Sequence, residues 1–265
     1  MSDSPNRWLR PTAYLIGLFM FAPTLVIVPM SFSGGNRLEF PPSGLSGRWY
    51  EAFFSDPAWV DATMSSVRVG LLTMLVATVI GSATAIGIMR GRLPGRGVLY
   101  TLMLSPVIMP TVVLAISLFF VFSRWHLIGS TLGLVLAHTV VALPLVIVSV
   151  AASLQSVDPR LELAAKGLGA RPWTILRRVT LPLLLPGIAT GALFAFATSW
   201  DEVVSAIFLT SPENRTLPVV MWQQVTTQLD PTLAVAATLV MITTFAMLLT
   251  GALVQTRQMK EGRSA

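Results

Sequence analysis

The chain has 265 residues, of which 54% are hydrophobic and only 11% charged, with a formal net charge of +6. A soluble domain carries about 25% charged residues, so a surface this poor in charge excludes a protein fully exposed to water and requires lipid to cover much of it. The absence of cysteine excludes a disulfide framework and a thiolate metal site.

The mean hydropathy of +0.73 agrees with a membrane chain. The pI near 10.7 is not read as a sign of nucleic-acid binding, because the basic residues gather at one end of each apolar run and not on one face. The first run, 12–30, follows Arg7 and Arg10 in the manner of a signal peptide. It is long and lacks a small-x-small cleavage site, and is read as a retained span. Five more runs follow, at 67–89, 99–122, 132–152, 183–209 and 233–254. Each is long enough to cross ~30 Å of hydrocarbon at about 1.5 Å per residue. Backbone groups in lipid must pair within the segment, so helices are expected and strands are not. The expected fold class is all-α integral membrane with six transmembrane helices, forming one domain over 1–265 with its core at about 65–255. Six helices of about 20 residues leave no room for a sizeable second domain in water.

Lys and Arg set the expected orientation. Thirteen of the 18, among them Arg90, Arg96, Lys166, Arg177 and Arg178, fall on the side of both termini. The other five are Arg37, Arg48, Arg68, Arg124 and Arg215. The positive-inside rule therefore puts both termini in the cytoplasm. Most acids lie outside, leaving that face at −3 and the inner face at +9. A negative outer mouth would favour cationic solutes; the same asymmetry is also what the positive-inside rule leaves on the outer face. Pro23, Pro29, Pro106, Pro110, Pro144 and Pro186 lie in or at the ends of the runs. They are tolerated where neighbouring helices or water satisfy the freed carbonyls. Gly187 and Gly191 form a Gly-x-x-x-Gly that permits close helix approach. No inverted repeat is visible, which argues against a secondary transporter built that way.

The segment at about 154–182, between the fourth and fifth runs, is the most informative. Asp158 is placed to cap a short helix with Pro159 at its first position, and Gly169 to end it in the left-handed conformation. Pro172 then suits the first turn of a second amphipathic helix, where Trp173, Ile175, Leu176 and Val179 stand beside Arg171, Arg177 and Arg178. An apolar stripe on such a helix needs a partner, either a protein groove or the lipid interface. This run resembles the EAA loop of bacterial binding-protein-dependent ABC importer permeases. Ala164, Ala165, Gly169, Val179, Leu181 and Pro182 match its spacing. The motif's glutamate position holds Leu163, with Glu162 one residue earlier, so the packing role of the motif carries over and the ionic role of its glutamate does not. The resemblance extends from roughly 67 to 254 and takes in the run from Ser105 to Pro110.

The resemblance implies a type I importer half-channel in the inner membrane. It would pair with a second permease chain, a dimer of an ABC ATPase and an extracytoplasmic solute-binding protein. Glu162, Ala164, Ala165, Leu168, Gly169, Leu181 and Pro182 would couple it to the ATPase. No cofactor is expected in this chain: ATP and Mg would sit on the ATPase, and no Gly-x-x-x-x-Gly-Lys-Ser/Thr occurs here.

The run Ser199-Trp200-Asp201-Glu202-Val203-Val204, with Phe208-Leu209-Thr210, Thr216-Leu217-Pro218 and Asp230-Pro231-Thr232-Leu233, is similar to the spermidine/putrescine permeases, more to their second permease type. Physical reasoning on the same residues is independent. An ionised carboxylate in a span is costly unless paired or wet, so it usually faces a pathway. Asp201 and Glu202 would bind ammonium groups, with Trp200 adding a cation–π face. Neighbouring side chains diverge by about 100° on a helix, so at most one of the two acids would face the pore. An ion pair with an arginine, or a helix-end acid among headgroups, accounts equally for their presence. His138 is expected to be a packed, hydrogen-bonded residue and His126 to be interfacial. No nucleophile–base set or His/Cys cluster suggests catalysis. A stand-alone secondary transporter or channel for an organic cation is the main rival, and a membrane-embedded enzyme the second.

Overall fold

The computed structural model describes residues 9–91, 93–227 and 229–261. Its elements are helices: α1 (Leu9–Ser31), α2 (Arg48–Ser55), α3 (Pro57–Arg90), α4 (Arg96–Ile108), α5 (Thr111–Arg124), α6 (Thr131–Ser156), α7 (Pro159–Gly167), α8 (Pro172–Ile175), α9 (Leu181–Asp201), α10 (Val204–Leu209), α11 (Leu217–Thr227) and α12 (Thr232–Glu261). A π-helical turn, Leu176–Thr180, joins α8 to α9. Among the described residues, four stretches are long and apolar enough to cross a membrane unbroken: Pro57–Arg90, Thr131–Ser156, Pro172–Asp201 and Thr232–Gly251. Two bent pairs raise the number to six if each counts as one span.

Both bends have a proline at the break. The first span bends by 42° between Pro11–Ala22 and Thr24–Ser31, at Pro23, which has no N–H to donate to the helix ladder. The third run does not form the single straight helix expected over 99–122: α4 and α5 meet at 104°. Pro110 pushes the residue before it out of the helical region, and Met109 is accordingly extended at φ −72 and ψ 138. Pro110 then opens α5 as its N-cap residue.

The fifth run is also corrected. It ends at Asp201, not at 209, because Glu202 is extended and Val204–Leu209 forms a separate short helix. At its other end it starts earlier than expected. The amphipathic segment after Gly169 is not a separate helix, since Pro172–Asp201 runs through as one 30-residue helix. Pro182 lacks the N–H that would reach the Arg178 carbonyl, and the ladder ahead of it widens into the π turn.

The chain falls into two compact units. The first takes in residues up to Val60 and Val220–Thr243. Within it, the Ser31 and Tyr50 hydroxyls lie 2.8 Å apart, tying the end of α1 to α2. Phe53 is buried with its ring 5.4 Å from that of Trp59. Asp230 accepts from the Thr232 N–H at 2.9 Å, satisfying one of the open donors at the start of α12.

The second unit, Asp61–Val219 with Thr244 onward, is built around α6 and α9, which pack along their lengths. The Gly-x-x-x-Gly expectation takes concrete form here. A methyl group on Gly187 would stand 2.3 Å from Cβ of Ser153, and one on Gly191 would stand 3.2 Å from Cα of Val146. Gly81 of α3 meets Val146 in the same way, at 2.7 Å. The small residues therefore let α3 and α9 approach α6 closely, and Ser149 adds a 2.9 Å hydrogen bond to the Gly187 carbonyl. Ala142, Val146, Ile147, Val150, Leu154 and Leu184 fill the resulting core.

Candidate functional site

The 158–182 segment folds by the local rules its residues carry. Asp158 accepts from the Arg160 N–H at 2.9 Å, with Pro159 at the first helical position, and α7 begins. It ends in a Schellman arrangement. Gly169 sits at φ 81, its N–H bonds the Lys166 carbonyl at 3.0 Å, and the Ala170 N–H bonds the Ala165 carbonyl at 3.1 Å. Glycine adopts that backbone without the steric cost a Cβ would add.

The two faces of α7 are chemically different. Leu161, Ala164 and Leu168 are exposed, Leu168 to 90% of its surface. Ala165 is half-buried on the same short helix. The other face looks onto a cavity of about 530 Å³ whose lining includes Pro159, Glu162, Leu163 and Lys166 of α7, with Ile86, Arg90, Ile175 and Thr180 opposite. Glu162 is turned inward. Its Oε1 accepts from Arg90 Nε at 3.2 Å and from the Thr180 hydroxyl at 3.1 Å. Arg90 and Thr180 are functional candidates that reading the chain did not single out. They stand 72 and 18 residues from Glu162, and no spacing rule links residues that far apart. Leu181 is half-buried and Pro182 exposed, both at the start of α9.

The second cluster lies where α9 ends. Asp201 is the last helical residue. It is exposed, and its carboxylate has no hydrogen-bond or ion-pair partner among the described residues. Glu202 is engaged: its Oε1 accepts from the Ser205 N–H at 2.9 Å and so caps α10. Trp200 is buried, 4% exposed, and stacks on Phe196 at 5.8 Å between centroids. Of the three side chains, Asp201 is the one that is exposed and without a polar partner among the described residues. His138 is buried in α6, with Nδ1 2.7 Å from the Ser199 hydroxyl of α9. No group of three or more metal-ligating side chains occurs among the described residues.

Residues 77–258 match the family described as binding-protein-dependent transport system inner membrane component. The chain belongs to this family. It is a multi-pass permease subunit of the ABC-importer type. Similar proteins include the spermidine/putrescine transport system permease protein PotC of Haemophilus influenzae, 33% identical over 86% of this chain and 89% of that one. The putrescine transport system permease protein PotI of Escherichia coli is 31% identical over 88% of this permease and 85% of its own length. The molybdenum transport system permease protein ModB of Mycobacterium bovis is 34% identical over 95% of each chain. Among solved structures, a chain of a bacterial ABC transporter that imports alginate superposes with a TM-score of 0.70 at 19% identity, covering 97% of this chain and 98% of that one. A chain of the MetNI methionine transporter gives 0.60 at 18% identity, over 77% and 95%. These likenesses establish the fold as that of ABC importer permeases.

Proposed function

We propose that this chain forms half of the translocation path of an ABC importer for a small organic cation of the polyamine type. The whole chain acts as one transmembrane permease domain. A second permease supplies the other half of the path, and a dimer of ABC ATPases carries ATP and Mg and drives transport. An extracytoplasmic binding protein delivers the solute. The exposed apolar face of α7 is the observation that carries the coupling part of this reading. Leu161, Ala164 and Leu168 stand uncovered along α7, and such a stripe needs an apolar groove to occupy. The ATPase supplies that groove. This chain itself neither binds nor hydrolyses ATP. The solute class follows from the open Asp201 carboxylate and from likeness to permeases named for spermidine and putrescine. The similar molybdenum permease favours a second reading, a molybdenum-containing solute; were it an oxyanion, the uncovered Asp201 carboxylate would repel it.

Reconstitution tests the function. The permease pair, ATPase and binding protein in proteoliposomes should hydrolyse ATP faster when the binding protein is loaded with a polyamine, and should accumulate that amine. Stimulation by an oxyanion in place of the amine would sink the cation reading. Accumulation without ATP would sink the importer reading and favour a stand-alone transporter or channel.

Orientation follows from the thirteen-to-five division of Lys and Arg. A reporter fused after Ala265 should report the cytoplasm, and one inserted at Gly44, an exposed loop glycine, should report the outside. The opposite pattern would reverse which end of the path meets the ATPase.

A further inference from the structure

The side of α7 that faces the body of the protein is loosely packed. The cavity of about 530 Å³ opens between part of it and the π turn, while α7 still touches α8 and that turn elsewhere. Close apolar packing between α7 and the spans is therefore limited there. A polar cluster bridges the gap instead. Arg90, the last residue of α3, points its guanidinium across the end of α6. It donates to the Val157 carbonyl at 3.2 Å and to the Leu154 carbonyl at a longer 3.5 Å. Carbonyls at a helix C-terminus lack intrahelical partners, and a cation there also meets the negative end of the helix dipole. The same guanidinium holds Glu162 of α7 at 3.2 Å. Glu162 in turn accepts a hydrogen bond from the hydroxyl of Thr180, which is 3% exposed and ends the π turn that leads into α9. One guanidinium and one carboxylate thus join α3, α6, α7 and the root of α9. A π turn is a break in the regular ladder, a place where a helix can change its register or direction.

We propose that Arg90 and Glu162 are a positioning pair that carries movement of α7 into α3, α6 and α9. Glu162 therefore serves coupling by reaching inward, and does not itself bind the ATPase. The proposal rests on the reading of α7 as the ATPase-docking element. Arginine is suited to this place because its planar fork addresses a carboxylate and two carbonyls at once, which the single ammonium of lysine does not.

The test is the ratio of solute moved to ATP hydrolysed in the reconstituted complex, for Arg90→Gln, Glu162→Gln and the double variant. Each single change should lower the ratio about fivefold or more, with transport falling further than hydrolysis. The double variant should be no worse than the weaker single one, because residues sharing one interaction are non-additive. A merely structural role would lower yield or melting temperature and leave the ratio of the assembled complex alone. Thr180→Val keeps the side-chain shape, removes one donor, and should give a smaller fall in the same direction. It decides the matter if Arg90→Gln does not assemble, since a wild-type ratio in Thr180→Val overturns the proposal. Wild-type ratios in both single variants, or effects that multiply as at independent sites, also overturn it. If the wild-type complex itself moves no solute with ATP, the docking reading has failed and not the pair.

Discussion

Alanine at Gly187 should lower the melting temperature of the detergent-purified chain sharply, while alanine at Gly191 lowers it less and alanine at Gly87 raises it. The three substitutions are chemically the same and all lie in helices, so position alone separates them. At Gly187 the new methyl carbon would come 2.3 Å from Cβ of Ser153, and the Ser149 carbonyl oxygen lies at 3.1 Å. Neither can move without shifting α6 against α9. Overpacking of this kind costs about 1–3 kcal/mol, and here it strikes the close contact of α6 with α9. At Gly191 the nearest atoms are at 3.2 Å, and a few tenths of an ångström of adjustment suffice. At Gly87 nothing lies within 4 Å. There the usual helix preference for Ala over Gly, about 0.8–1.0 kcal/mol, is free to act. Equal melting temperatures for all three variants would show that α6 and α9 do not pack through these glycines.

That pairing was partly legible from the residues. A Gly-x-x-x-Gly in an apolar run says that some helix comes close, but not which one. The partner is α6, whose Ser149, Ser153 and Val146 lie opposite the two glycines. The apolar runs located the spans because length and lipid leave the backbone few options. Their ends were less legible. Pro110 reads as a helix breaker, yet whether a proline kinks a span or turns it by 104° depends on what packs around the break. The early end of the fifth run was similarly hidden. Val203 to Leu209 is apolar enough to continue a span, and the extended backbone at Glu202 interrupts it.

The turn chemistry of the 158–182 segment could be read almost residue by residue, because caps and left-handed glycines are local. Asp158, Pro159 and Gly169 each depend on neighbours within five residues. Glu162 shows the limit. Its place beside the motif implies coupling to the ATPase, and the local run does not say that its carboxylate lies against Arg90 and Thr180. Which way a side chain points on an exposed short helix depends on partners distant in sequence. Arg90 counted only as one more positive charge at a span end. Trp200 and Glu202 follow the same pattern. One is drawn into packing against Phe196 and the other into capping α10, and neither pull is written in the local run.

The second large effect concerns Asp201, the member of that run whose carboxylate is left open. Asp201→Asn keeps the size and shape of the side chain and removes its charge. A charge-assisted hydrogen bond to an ammonium group is worth roughly 1.5–3 kcal/mol. At 1.4 kcal/mol per decade, its loss weakens the interaction about 10- to 150-fold. Polyamine uptake by the complex should fall by a factor in that range at low solute concentration. Hydrolysis of ATP without binding protein serves as the check that the variant complex has assembled. Glu202→Gln should change uptake little, because the amide oxygen still accepts from Ser205. Glu202→Ala should loosen α10 by about 1 kcal/mol, as loss of a cap does. Trp200→Phe should likewise act on packing more than on uptake, given a ring that is already stacked. Charge reversal sharpens the test. Asp201→Lys places a cation where the proposed cationic solute must pass, and like-charge repulsion on the path should stop uptake of the amine altogether. Undiminished amine uptake by both Asp201→Asn and Asp201→Lys would remove Asp201 from the path. Faster passage of an oxyanion through the lysine variant, with no amine uptake in the wild type, would instead move the whole importer to the opposite charge class.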